Sequence, residues 1–308
     1  MSVATATSNS KLPMRIAEFD TLTEGLDYAA KGETGVNFYS PRGELSQAMS
    51  YAELRTRAIA LAQSLVRAGY PAGGRVAILA ETLPHFQIFF FGCQYAGMIP
   101  VPLPLNIHMG GHEAYVQRLT GMLRESQAKI AVASAEMCGF LEEAAAGLGI
   151  DCGTPEDFMG LPGSGAALRP FDKDDPCYIQ YSSGSTSAPR GVLITQRAIT
   201  SNARGIGRHG LQLRPGDRSV SWLPLYHDMG LVGFCLTPAM SQVTVDYLAT
   251  ASFARRPMVW LKLLTENGSS ISFSPTFGYD LCRRRGLAPG REVDQMTRTT
   301  PIMRLTAQ

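Results

Sequence analysis

Apolar residues recur along this chain in two rhythms. Short runs rich in β-branched and aromatic residues predict strands: Val36–Tyr39 (VNFY), Arg75–Ala80 (RVAILA), Lys129–Ala133 (KIAVA), Cys177–Tyr181 (CYIQY), Val192–Thr195 (VLIT), Arg218–Trp222 (RSVSW) and Ser270–Ser274 (SISFS). Between the first two runs, Leu54, Ala58, Leu61 and Leu65 recur at helical spacing and predict a helix over Tyr51–Ala68. Ser50 stands at its N-cap, Glu53 at the capping-box position, and Gly69 just past its end. The most apolar window, Phe86–Leu105, holds Gln87, Gln94 and prolines at positions 100, 102 and 104. A membrane span needs about 20 apolar residues in one unbroken helix, so this window reads as a buried helix running into an extended segment. Strand–helix alternation of this kind predicts stacked α/β layers with a largely parallel sheet.

The Gly/Pro-rich stretch Gly153–Pro170 breaks the rhythm and predicts a junction. Residues 11–165 then form a first α/β subdomain and 166–308 a second, after a disordered tail at 1–10. That tail, MSVATATSNS, has neither the basic start nor the apolar core of a signal peptide. Of the 308 residues 45% are hydrophobic and 18% charged, as in a soluble globular protein, and a net charge of +2 gives no reason to expect nucleic acid as a partner. The cysteines Cys93, Cys138, Cys152, Cys177, Cys235 and Cys282 show no C-x-x-C spacing and read as buried, reduced thiols of a cytoplasmic protein.

Chemistry concentrates in Tyr181–Gly191, YSSGSTSAPRG, set between two strand-like runs. Gly184 lets backbone approach a ligand closely, while Ser182, Ser183, Ser185, Thr186 and Ser187 bring hydroxyls and Arg190 a fixed charge. The residues alone leave two readings open, a polar hairpin loop or a cradle for polyphosphate. The Walker pattern is absent. Other patterns carry less. Gly205–Gly210 matches G-x-G-x-x-G but follows a helical pattern rather than a strand. His108 and His112 flank glycines that make a poor helix for metal ligation, and no metal site is expected. No G-x-S-x-G elbow occurs, and Arg283–Arg285 reads as a solvated helix end.

The loop resembles the phosphate-binding signature of the adenylate-forming superfamily (acyl-CoA synthetases, peptide-synthetase adenylation domains and luciferases), (Y/F)TSG(S/T)TGxPKG. Ser182 stands for its first Thr, Ser187 for its second Gly and Arg190 for its Lys, and these are departures. Trp222–Gly233 (WLPLYHDMGLVG) resembles the next motif of the fatty acyl-AMP ligases. Ile271–Arg285 (ISFSPTFGYDLCRRR) is similar to their "aPnFaydLc" pattern, and Phe90–Leu105 to their helix-then-strand entry. The four segments stand in family order across most of residues 35–285.

That resemblance implies the N-terminal part of a long-chain fatty acyl-AMP ligase, with ATP as co-substrate and Mg²⁺ shielding its phosphates. Fatty acid and ATP would give acyl-AMP and pyrophosphate, and the acyl group would pass to an acyl carrier protein, or to coenzyme A in the acyl-CoA synthetase alternative. It assigns the phosphates to Ser182–Ser187 and Arg190 and a catalytic, carboxylate-ordering role to His227. Trp222, His227, Leu231, Phe273 and Phe277 would line the acyl site, apolar walls with few polar groups being what such a site needs. Asp228 reads instead as an acid offsetting a helix dipole. The adenine- and ribose-binding motifs and the catalytic Lys of the family do not occur here, so the 308 residues alone are expected to be inactive or nearly so. They would be an N-terminal fragment, a truncated product or a pseudo-enzyme, with a non-catalytic acyl- or nucleotide-binding protein as the alternative of another class.

Overall fold

The computed structural model describes residues 11–105, 110–181, 190–286 and 304–307. The first part runs α1 (Leu22–Ala29), β1 (Gly35–Tyr39), β2 (Leu45–Ser50), α2 (Tyr51–Arg67), β3 (Arg75–Leu79), α3 (Pro84–Ala96) and β4 (Ile99–Leu103). Then come α4 (Gly111–Ser126), β5 (Ala128–Val132), α5 (Ala135–Ala145), β6 (Asp151–Gly153), α6 (Pro155–Met159), β7 (Pro176–Tyr181), β8 (Gly191–Thr195) and α7 (Gln196–Gly205). The last part holds β9 (Arg218–Ser221), α8 (Asp228–Leu231), α9 (Thr237–Met240), β10 (Thr244–Leu248), α10 (Thr250–Arg255), α11 (Met258–Glu266), β11 (Ile271–Ser274), α12 (Thr276–Gly286) and β12 (Arg304–Ala307).

Every strand run read from the sequence coincides with a strand, and α2 lies where its periodicity put it. The Ser50 hydroxyl accepts from Glu53 N at 3.1 Å, and Gly69 just beyond the helix takes φ +89°, the left-handed conformation that glycine tolerates. The apolar window Phe86–Leu105 is α3 followed by β4, as expected. Strands β2, β6, β10 and β12 were not legible. β2 (LSQAMS) is a polar edge strand, and β10 (TVDYL) carries an acid in its middle.

The strands form a six-stranded sheet, β12-β11-β9-β10-β1-β2, and a four-stranded sheet, β4-β3-β5-β6, parallel throughout except for the β1–β2 hairpin. A separate antiparallel pair, β7-β8, flanks them. Side-chain alternation makes the layers. On β3, Val76 and Ile78 join the core shared with α2, α3 and the six-stranded sheet, while Ala77 and Leu79 join the core under α4 and α5. α3 is buried all round except at His85, as its lack of a polar face requires. The division expected at 165/166 does not separate the sheets, because β1 and β2 pair beside β10, which follows the junction by many residues. The cysteines are free and buried except half-buried Cys152, and burial pushes their thiols up, Cys138 and Cys282 to about 11 and Cys235 to about 12.

A buried polar hub ties the six-stranded sheet together. Fully buried Asp246 on β10 accepts from Asn37 on β1 (2.8 Å), from Arg218 on β9 through two nitrogens (2.7 Å each) and from Asn267 after α11 (2.9 Å). Such a charge is tolerable inside a protein only with this degree of pairing.

Candidate functional site

In open α/β sheets ligands bind outside the carboxyl ends of adjacent strands whose onward connections diverge. In the six-stranded sheet those strands are β9, which leads to β10 on one side, and β11, which leads to β12 on the other. Their carboxyl ends release Trp222–Asp228 and Pro275–Phe277. The topology therefore brings His227, Trp222 and Phe277 to one crevice, although Trp222 and Phe277 lie far apart in sequence.

The turn that presents His227 is built from local rules. Pro224 O accepts from His227 N at 3.2 Å, and His227 is the N-cap of α8. Gly230 tucks under this turn, where a Cβ would stand 2.2 Å from Pro224 O, so only glycine fits. Downstream, α8 passes through a π-helical turn, Val232–Leu236, into α9. Pro238 lacks the N–H that would bond to Phe234 O, and the Tyr247 hydroxyl donates to that carbonyl instead, at 2.6 Å.

The His227 side chain is about half exposed (49%), and its Nδ1 lies 2.5 Å from Asp228 Oδ1. Asp228 Oδ1 also accepts from Met229 N at 2.7 Å, which is closer than the 3.4 Å from that N–H to His227 Nδ1. The shorter contacts favour Nδ1–H donating to Asp228, which leaves Nε2 as the ring atom for a ligand. Asp228 thus orients the imidazole as well as occupying the first turn of α8.

The aromatic residues divide into wall and foundation. Trp222 is 2% exposed, stacked on Phe253 at 3.7 Å and edge-on to Trp260 and Phe277. Its Nε1 has no hydrogen-bond partner among the described residues. Leu231 is fully buried, and half-buried Phe273 stacks on Phe234 at 4.0 Å. Phe277, 60% exposed, stands on α12, which approaches Trp222 closely because Gly278 has no Cβ; one there would meet the indole at 2.7 Å. Of the five residues expected to line an acyl site, His227 and Phe277 offer the most surface, whereas Trp222 and Leu231 act as core beneath them.

Ser182, Ser183, Gly184, Ser185, Thr186 and Ser187 lie outside the described residues, as does His108. Their flanks are β7 and β8, antiparallel strands with Tyr181 opposite Gly191, and Arg190 at the downstream flank is exposed. Gln180, next to the end of β7, donates from Nε2 to Tyr226 O at 3.4 Å. This contact joins the strand that carries the Ser/Gly loop to the turn that carries His227. Gln180 and the stacking partner Phe253 were missed in the sequence. A Gln inside the apolar run CYIQY was the available signal for the first, and Phe253 had none.

Two other features carry no comparable chemistry. His112 pairs on the surface with Glu143 at 2.6 Å. A concavity of about 570 Å³ lined by Arg15, Glu18, Asp20, Asp27 and Arg204, among others, shares no residue with the His227 crevice. Its charges are largely paired: Glu18 binds Arg15 and Arg208, and Asp27 binds Arg55 and Tyr95. Among the described residues no three metal-ligating side chains converge, and no helix is long and apolar enough to cross a membrane.

Comparison with known proteins agrees with this geometry. A putative acyl-CoA synthetase of Caulobacter vibrioides is 48% identical over 88% of this chain and 47% of its own length. The long-chain-fatty-acid–AMP ligase FadD26 of Mycobacterium marinum is 32% identical over 80% of the chain and 42% of its own. A structure from a study of fatty acyl-adenylate ligases of E. coli and L. pneumophila superposes with a TM-score of 0.86 at 44% identity, over 89% of this chain and 49% of that one. The L. pneumophila ligase in complex with acyl adenylate and pyrophosphate gives 0.75 at 28% identity, over 89% and 48%. The chain spans about half the length of these relatives. The sequence pattern of AMP-binding enzymes matches residues 30–300, and the chain belongs to that family.

Proposed function

We propose that this chain supplies the phosphate-loop and acyl-facing part of an AMP-forming fatty acid ligase. A fatty acid carboxylate attacks the α-phosphorus of ATP, its oxygen forms the new P–O bond, and pyrophosphate leaves. Two anions must meet, so the site has to neutralise charge and position the reactants rather than supply a strong base. Ser182–Ser187 and Arg190 would hold the leaving phosphates. His227, braced by Asp228, would bind the carboxylate through Nε2, and Phe277 would begin the acyl wall. Mg²⁺ would enter on the triphosphate; the described residues offer it no carboxylate cage, and no step is assigned to it. The observation that carries this reading is the Gln180–Tyr226 contact, because it sets the phosphate-loop strand beside the His227 turn.

The acyl group would then pass to the thiol of an acyl carrier protein. A coenzyme A acceptor is the second reading, favoured by the name of the Caulobacter relative. The test is calorimetric titration of the chain with ATP and with a non-hydrolysable fatty acyl-adenylate analogue, together with fatty-acid-dependent pyrophosphate release. We expect binding of the analogue, weaker ATP binding in Arg190→Ala, and little release from the 308 residues alone. Absence of binding to either nucleotide would refute the site assignment. Robust release would overturn the expectation of inactivity.

A further inference from the structure

Val192 and Leu193, neighbours on β8, are 48% and 51% exposed. Successive strand residues point to opposite faces, so neither face of β8 is covered there. Among the described residues β8 pairs only with β7, and in antiparallel pairing alternate N–H and C=O groups point away from the partner. The inner strand is fastened to the body: Ile179 and Tyr181 pack on the core of the four-stranded sheet, and the Tyr181 hydroxyl donates to Met122 O at 2.7 Å. The outer strand is held more lightly, with Gly191 N donating to Glu125 at 3.4 Å. An isolated two-stranded hairpin is marginal in water, and an apolar free edge is a template for a further strand.

Exposed large apolar side chains are otherwise few among the described residues: Leu83, Leu105 and Phe277. The relatives carry about as much chain again as this one spans, 47% and 49% of their lengths being matched here. We propose that the outer edge of β8 seats the other half of that fold, which docks by adding a strand along Val192–Thr195 and burying Val192 and Leu193. The same edge serves whether that half continues the polypeptide or arrives as a second one. The proposal rests on the family match and on the exposed edge, not on the reaction assigned above.

The test is co-expression of the 308-residue chain with the part of the Caulobacter relative that it does not match. The expected result is a one-to-one complex with slowed amide exchange at residues 192–195 compared with the chain alone. Val192→Asp/Leu193→Asp should weaken the complex at least tenfold, while the circular dichroism and melting of the chain alone stay unchanged, since both side chains are exposed. Lack of a complex, unchanged exchange at β8, unaltered affinity of the double variant, or protection of β8 by a homodimer of this chain would each overturn the proposal. The readout is binding and exchange, so a complex without ligase activity would count against the proposed reaction and for the interface.

Discussion

The two parallel sheets each have a point where onward connections diverge, yet only one of them is open. In the four-stranded sheet the diverging strands are β3 and β5, and their carboxyl ends release Glu81 and Ser134. The Glu81 carboxylate, 7% exposed, accepts from Ser134 N at 2.8 Å and from its hydroxyl at 2.6 Å, with His85 Nε2 at 3.3 Å. The protein has placed its own anion at the start of α5, where a ligand's anion would otherwise sit. In the six-stranded sheet the same position carries exposed His227 and Phe277. Topology nominates both crevices, and side-chain chemistry decides between them.

The largest effect should come from breaking the floor of the open crevice. Asp246→Ala strands Arg218 in the interior and should cost about 3–5 kcal/mol, read by urea denaturation. His227→Ala should separate function from stability. In a chimera that joins this chain to the missing half of the Caulobacter relative, we expect fatty-acid-dependent pyrophosphate release to fall about a hundredfold. Stability should change by less than about 0.5 kcal/mol, as befits a half-exposed side chain. Equal losses in both would make His227 structural.

The closed crevice should behave in the opposite way. Glu81→Gln is expected to cost about 1–3 kcal/mol of stability and to leave analogue binding intact. Burial alone would raise the Glu81 pKa, but neighbouring His85 and the hydrogen bonds from Ser134 outweigh it and hold the carboxyl below its ordinary 4.5. A depressed folded-state pKa gives stability that is complete above about 4.5 and lost as pH falls through the lower folded value. Wild type should therefore lose this contribution on acidification below about pH 4.5, and Glu81→Gln should flatten that part of the stability–pH curve. The smallest effect belongs to Phe277→Ala, about 1 kcal/mol in affinity for a long-chain acyl-adenylate analogue, with melting nearly unchanged.

Much of the fold was legible where pattern and burial agree. Leu54, Ala58, Leu61 and Leu65 face one core and repeat at 3.6, and Val76 with Ile78 alternates against Ala77 with Leu79. β10 escaped notice because Asp246 interrupts its apolar run, and only Arg218, Asn37 and Asn267, distant in sequence, make that acid at home in a core. For the same reason the division at 165/166 did not coincide with the sheets: pairing of β1 with β10 is non-local and leaves no mark in composition. At the site, His227 and Phe277 were readable from motifs. The burial of Trp222 was not, since stacking on Phe253 depends on where α10 returns.

The most direct measurement is backbone NMR of the 308-residue chain titrated with a non-hydrolysable fatty acyl-adenylate analogue. The two-crevice account expects saturable shifts at Tyr226–Met229 and Thr276–Gly278, with Glu81–His85 and Ser134 unmoved. Shifts confined to Glu81–His85 and Ser134, or saturable binding that leaves Tyr226–Met229 unperturbed, would contradict it.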